Sequence, residues 1–386
     1  MRVKRARRRA LIGTFIAFSL LAQACTLSLL KLPKLPEIFP PVGTGSPATS
    51  LPAGTPQAMA QTSFTVMIPE PLAAGETLYI VTMDEVTGLS LNAKYYPMQA
   101  RDPLTYTATL PLPLNAVVKY RYARRGASEV PEDTSLGAPV RYRLYQVVAQ
   151  AEVQDVVGDW ADKVYARQTG SILGRILNND TGAPIPNVLV TAGGVQYLTD
   201  SAGRFDLEGL PTGTHNLVAY PLDGLYQPFQ QGAVVGPGQT TNVDLPLKPA
   251  PHVSVTFNVT VPANTVTGAP VRVAGNLLQL GNTFADLQGG LSTNADRMPL
   301  LSFTSDGRYT AKIDLPVGAY IEYKYTLGDG FWNAEHSAGG DFVLRSFIVP
   351  AQDLVLQDQV STWQAGSSSP ILYEVSVPSS TPAGDI

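Results

Sequence analysis

Large apolar residues in this chain tend to recur at every second position rather than every third or fourth. Phe64-x-Val66-x-Ile68 sets the pattern, and the stretches 78–82, 105–110, 117–122 and 141–148 follow it in whole or in part, separated by turn residues. A period of two sends successive side chains to opposite faces of an extended backbone, so each stretch predicts a β-strand with one face in a core. No long stretch carries the spacing and caps of an amphipathic helix. The expected fold class is all-β, built as sandwiches of short strands.

The pattern is also duplicated. Tyr106-Thr107-Ala108 returns 203 positions later as Tyr309-Thr310-Ala311, Tyr120 to Tyr122 returns as Tyr323 to Tyr325, and Gln154-Asp155, Val157 and Trp160 return as Gln357-Asp358, Val360 and Trp363. Upstream the match resumes at an offset of 193, where Phe64, Val66, Pro69, Gly75 and Gly88 answer Phe257, Val259, Pro262, Gly268 and Gly281. The ten-residue difference falls in the loop after Gly88 and Gly281. Self-similarity on this scale marks a repeated module. Tyr373-x-Val375-x-Val377-Pro378 opens the phrase again, so residues 370–386 are expected to begin a truncated third repeat.

These observations predict tandem β-sandwich modules of immunoglobulin-like type. The expected layout is a signal peptide at 1–24, a Pro-rich tether at 25–60, one copy of the repeat at 61–163, a different sandwich at 168–248, the second copy at 252–365, and the start of the third at 370–386. Composition agrees, with 34 Gly and 32 Pro in 386 residues and enough apolar residues, 44%, for packed cores.

The first residues change the picture by giving the chain an address. Arg2, Lys4, Arg5, Arg7, Arg8 and Arg9 precede an apolar run at 11–21 that is too short for an ordinary membrane span and has the length of a signal-peptide core. The run ends in Leu21-Ala22-Gln23-Ala24-Cys25, with Cys25 the single cysteine of the chain. This resembles the lipobox of bacterial lipoproteins, although Gln23 stands where a small residue is usual. The resemblance implies lipidation of Cys25 and an exported chain, lipid-anchored at the cell envelope and facing outward. The alternative is a plain secretory signal. Loss of residues 1–24 leaves 21 basic residues against 31 acidic, a net charge of about −10. An acidic surface without a basic cluster argues against nucleic acid, and leaves any membrane contact to the anchor. Prolines 33, 36, 40, 41, 47, 52 and 56 then mark an extended tether that cannot bury a core.

The middle module reads differently. Thr181-Gly182-Ala183-Pro184-Ile185-Pro186-Asn187-Val188, Thr199-Asp200-Ser201-Ala202-Gly203-Arg204-Phe205 and Leu210-Pro211-Thr212-Gly213 resemble the carboxypeptidase regulatory-like domain. That family implies a small β-sandwich without the zinc ligands of the peptidase domain, and here a spacer.

In the second copy, Val271-Arg272-Val273-Ala274-Gly275-Asn276, Leu280-Gly281-Asn282, Asp306-Gly307-Arg308-Tyr309, Leu315-Pro316-Val317-Gly318 and Glu322-Tyr323-Lys324-Tyr325 are followed by Phe331-Trp332-Asn333-Ala334-Glu335. In that order they resemble the family 20 starch-binding modules. The resemblance implies an α-glucan site with Trp332 as an aromatic platform, and Lys324 and Glu335 as polar partners, with Asn333 beside them. The family's first tryptophan is replaced by Asn282-Thr283-Phe284, which offers Phe284 instead. Flat rings suit the apolar face of a pyranose, and carboxylates, amides and ammonium groups suit its hydroxyls. The alternative for Trp332 is to cap the core. The first copy departs further: Arg121 stands for Lys324 and Glu129 for Trp332, and Glu132 alone keeps the place of Glu335. Tyr95 and Tyr96 offer another aromatic surface there, against the alternative of a sandwich with no sugar site.

Catalysis and cofactors are not expected. His215, His252 and His336 are scattered without metal-ligand spacing, and no nucleophile elbow, phosphate loop or zinc-protease helix is present. The carboxylate pairs Asp84-Glu85 and Glu132-Asp133 fall in predicted loops and read as solvated. The expectation is a non-catalytic surface lipoprotein that binds polysaccharide of the α-glucan kind. The alternatives are a structural or protein-interacting array without sugar binding, or the binding arm of a truncated starch-active enzyme.

Overall fold

The computed structural model describes residues 49–50, 58–83, 93–149, 151–281, 295–328, 333–341 and 343–363. Nearly all regular structure in them is β, arranged as three two-sheet modules. Cys25 and residues 370–386 lie outside the described residues.

Module one shows how the alternation is used. Met59–Met67 buries Ala60, Thr62, Phe64 and Val66 and turns the residues between them outward. It is the middle strand of a sheet with Thr105–Pro113 antiparallel on one side and Ala151–Val156 parallel on the other. The facing sheet runs Asp159–Trp160, Glu129–Asp133, Val117–Arg125, Thr77–Met83 and Ala93–Pro97, with Arg143–Gln146 also paired to Val117–Arg125. Phe64, Ile80, Leu110, Tyr120, Tyr122, Tyr145 and Trp160 fill the space between the sheets. Module three repeats this plan: His252–Thr260 lies between antiparallel Tyr309–Pro316 and parallel Leu354–Gln359. Its second sheet is Arg272–Gly275, Tyr320–Thr326 and Arg345–Ile348. Thr49–Ser50 adds in parallel to the outer edge of Leu354–Gln359.

The indoles at the module ends are interior in both copies, Trp160 fully and Trp363 at 9% exposure. They differ in one bond. Trp363 Nε1 donates to Thr265 Oγ1 at 2.9 Å, whereas Trp160 Nε1 has no partner, because Leu72 occupies the place of Thr265.

Module two packs Arg204–Pro211, Thr169–Asn178 and Thr240–Leu247 against a sheet of Val195–Leu198, Val188–Ala192, Gly213–Pro221 and Phe229–Val235. It is docked on module one rather than strung beside it. Gln146 and Gln230 exchange hydrogen bonds, Gln146 N to Gln230 Oε1 at 3.0 Å and Gln230 Nε2 to Gln146 O at 2.8 Å. Gln196 and Asn216 donate to the Tyr142 and Leu144 carbonyls. Two glycines permit the approach: a Cβ on Gly194, at φ +81°, or on Gly213 would stand 2.6 Å from a methyl of Val140 or Val156 respectively. Such a distance allows no side chain unless the facing valine shifts. Apolar burial runs on from this seam, through Tyr142, Leu144, Leu189, Val218 and Tyr220, into the core of module three.

His215 in module two is fully buried, and its Nε2 donates to the Pro211 carbonyl at 2.7 Å, while Nδ1 has no partner. Burial holds its pKa below the ordinary imidazole value. The unfolded chain therefore takes up the proton first. The stability tied to this group is complete above about pH 6.5 and is lost as the pH falls from there through the depressed folded value. Urea denaturation of the chain should show that decline on the acid side of neutrality, and His215→Gln should remove it; an unchanged slope in the variant would locate the acid sensitivity elsewhere.

Candidate functional site

The Tyr320–Thr326 strand alternates between the sandwich interior and the outer face, and Tyr323 and Tyr325 point inward. Their hydroxyls both donate to Asp358 Oδ2 at 2.8 Å, across the gap between the sheets. Arg345 joins them. Its Nη1 reaches Asp358 Oδ1 at 2.9 Å, its Nε and Nη2 take the two oxygens of Glu335 at 3.0 and 2.8 Å, and Nη2 also bonds the Gln359 carbonyl. Glu335 Oε1 additionally accepts from the Tyr325 amide.

This corrects the assignment of Glu335. The carboxylate is fully buried and its oxygens are held by a guanidinium and a backbone amide, so it closes the core rather than receiving a sugar hydroxyl. Burial raises its pKa, against the pull of Arg345. Burial would lower Arg345, but the hydrogen bonds and charge of Glu335, with Asp358 behind them, hold it up. Tyr323 and Tyr325 are both pushed up, by burial first and then by the charge of Asp358.

Module one contains the same construction. Arg143 binds Glu132 through Nε and Nη2, Asp155 through Nη1 and the Val156 carbonyl through Nη2, while the Tyr120 and Tyr122 hydroxyls donate to Asp155 at 2.8 Å. Glu132 is therefore not solvated in a loop. It lies in the Glu129–Asp133 strand and is fully buried.

The other expected site residues are divided. Lys324 sits opposite Ala274 at 3% exposure, too covered to extend an ammonium freely to a surface ligand. Asn333 is exposed, and its carbonyl accepts from the Leu327 amide as the chain returns beside Thr326. Trp332 and Phe284 lie outside the described residues. In module one Tyr95 is exposed at the sheet edge, but Arg125 lies 4.4 Å from its ring centroid and is tied to Glu129 at 2.6 Å. That ring face is already covered by a cation–π contact.

An aromatic pair missed by the sequence reading is on the surface of module three. Phe303 is 66% exposed and opposes Tyr309 across two antiparallel strands, with ring centroids 5.0 Å apart and planes at 60°. The turn between them is closed by Thr304, whose amide and hydroxyl both donate to the Arg308 carbonyl, and by Gly307 at φ +81°. Arg308 and Gln357 join in a hydrogen bond beside it, adding polar groups to the rim. Module one has Ala100 opposite Tyr106 in the same register, so its copy of this surface has no comparable shelf.

Residues 171–248 match the family of carboxypeptidase regulatory-like domains, and module two is such a domain. An alpha-amylase of Niallia circulans is 35% identical over 98 residues, which are 25% of this chain and 7% of that enzyme. Among solved structures, a family 15 glucoamylase from Hypocrea jecorina shares 27% identity over 33% of this chain and 20% of its own, with a TM-score of 0.22. A streptococcal ancillary pilin shares 11% over 78% of this chain and 99% of its own, with a TM-score of 0.28. Scores of that size give neither structural likeness weight. The chain thus spans only a small part of the amylase and glucoamylase it matches.

The clamp reading of Glu335 makes a direct prediction. Glu335→Gln should lower the unfolding free energy by about 3 kcal/mol, the low end for breaking a buried pair, since Arg345 keeps Asp358. Denaturant unfolding followed by tryptophan fluorescence measures this. A stability unchanged within about 0.5 kcal/mol would return Glu335 to the list of ligand residues.

Proposed function

We propose that module three binds carbohydrate of the α-glucan kind, and that the chain presents it outside the cell from a lipid anchor at Cys25. The observation that carries this reading is the exposed Phe303–Tyr309 pair, an apolar shelf with polar groups at its edge on the copy that also carries Trp332. The stretch shared with an alpha-amylase supports the same class of ligand. Trp332, outside the described residues, is the second proposed platform, with Asn333 next to it in the chain. Modules one and two act as the docked support. No catalytic step is assigned to any of the three.

One aromatic contact contributes about 1.5–3 kcal/mol and each polar contact about 1, which places a single site between about millimolar and tens of micromolar. Sedimentation with insoluble starch tests the proposal, using the chain without residues 1–24 and with Cys25→Ser. Retention is expected, and Phe303→Ala and Trp332→Ala should each weaken it by about 10-fold. No retention of the parent chain, or retention of both variants as strong as the parent's, would favour a structural or protein-interacting array.

A further inference from the structure

Asp133 and Asp159 stand directly opposite each other where the Glu129–Asp133 and Asp159–Trp160 strands pair antiparallel. Residues in that relation project from the same face of the sheet with Cβ atoms about 5 Å apart, and like charges there repel. Each carboxylate keeps one oxygen that its surroundings leave unrelieved, although Asp133 as a residue is only partly buried. Asp159 is 6% exposed, and its Oδ2 and the Oδ1 of Asp133 are both shut away from solvent without a hydrogen-bond partner. The buried arginines of the same sheet are engaged elsewhere, Arg143 by Glu132 and Asp155, and Arg124 by Glu76 and Asp162. Asp159 Oδ1 accepts from the Trp160 amide at 2.9 Å, which fixes the carboxylate and leaves Oδ2 as the bare oxygen.

The fold does not demand this arrangement. Module three places His336 and Thr362 at the same register, 203 positions on, and bridges them in the same way. There the side chain is neutralised by local bonding, His336 Nδ1 lying 2.8 Å from the Ala334 carbonyl and 3.2 Å from that of Trp363. One scaffold thus carries a satisfied pair in one copy and two facing carboxylates in the other. The surroundings in module one are also tightly built. A Cβ on Gly158 would stand 2.8 Å from the Ser135 amide and 3.1 Å from the Asp133 carbonyl, so the approach to Asp159 is pressed against the turn that follows Asp133.

We propose that Asp133 and Asp159 hold a divalent cation, Ca2+ by their ligand chemistry, in module one. Two hard carboxylate oxygens suit Ca2+ or Mg2+ rather than Zn2+, and the tolerance of Ca2+ for irregular oxygen shells favours it. No cluster of three or more His, Cys, Asp or Glu able to hold a metal is present among the described residues, so the rest of the shell would have to come from carbonyl oxygens and water. The affinity is then that of weak extracellular modules, about 0.1–1 mM. The turn after Asp133 also touches module two, through the Ser135 hydroxyl on the Gly209 carbonyl and through Leu136 against Gly209. Cation binding would therefore stiffen the seam between the modules.

The test uses the whole exported chain after EDTA treatment. Calcium at about 5 mM and constant ionic strength should raise its Tm by about 2 °C or more. Tb3+ should give luminescence sensitised by the adjacent Trp160 and be displaced by Ca2+. Asp133→Asn and Asp159→Asn should each abolish both effects and leave starch retention unchanged, which separates this proposal from the sugar-binding one. A Tm indifferent to Ca2+ together with no displaceable Tb3+ signal would overturn it. So would a Ca2+ response of the same size in both variants. Should one variant fail to fold, the Tb3+ signal of the parent chain and the response of the other variant decide between these outcomes.

Discussion

A buried guanidinium that binds carboxylates from both layers is the constraint on which each repeated sandwich depends. Asp155 comes from one sheet, and Arg143, Tyr120 and Tyr122 reach it from the other; Asp358, Arg345, Tyr323 and Tyr325 repeat the arrangement. Apolar contact holds two sheets together without fixing their offset, because it is non-directional. Bonds to one carboxylate oxygen from two hydroxyls, and to its neighbour from a fixed fork, do fix it. The charges are tolerable inside only as a set, since any one left alone would cost several kcal/mol. That is why Glu132 and Glu335 are kept while residues around them change.

The sequence carried this information in a form that was easy to misread. Alternation at 64–68, 105–110 and 117–122 reports burial directly, so the β class and the repeat were legible. A glutamate three positions after Trp332 looks the same whether it meets a sugar or an arginine. The repeat held the answer, because Glu132 persists in the copy where Trp332 and Lys324 have become Glu129 and Arg121. A residue retained where the supposed site has dissolved serves the fold. Its partner escaped notice because Arg143 and Arg345 are 202 positions apart, one short of the offset on either side. Phe303 escaped for the opposite reason: a single apolar residue in Ser302-Phe303-Thr304-Ser305 has no period, and only the strand pairing sets it against Tyr309. Asp133 and Asp159 are 26 positions apart, so the sheet alone makes them neighbours.

Contacts between modules were less legible still. Gly194 and Gly213 read as ordinary turn glycines, and their positive φ suits glycine, but a Cβ on either would also meet Val140 or Val156 in another module. Gln146 and Gln230 are unremarkable surface amides until they face each other. A module expected to act as a spacer is instead seated on its neighbour by directional bonds and close backbone approach. The linker composition between 163 and 168 could not distinguish the two.

Docking bears on how a weak sugar site would become useful. Avidity between sites on one chain requires that both reach the same polymer, and the described residues offer an open aromatic shelf on module three and a covered one on module one. Under the proposed reading, gain in retention then comes less from copies within a chain than from many chains held on one surface. The proposed lipid anchor supplies that condition: it confines the chains to two dimensions, so a long glucan that leaves one shelf meets another at high local concentration. A rigid support serves such an arrangement better than a flexible one. It keeps the shelf in a fixed orientation relative to the docked modules, so less conformational entropy is lost each time a polymer is captured.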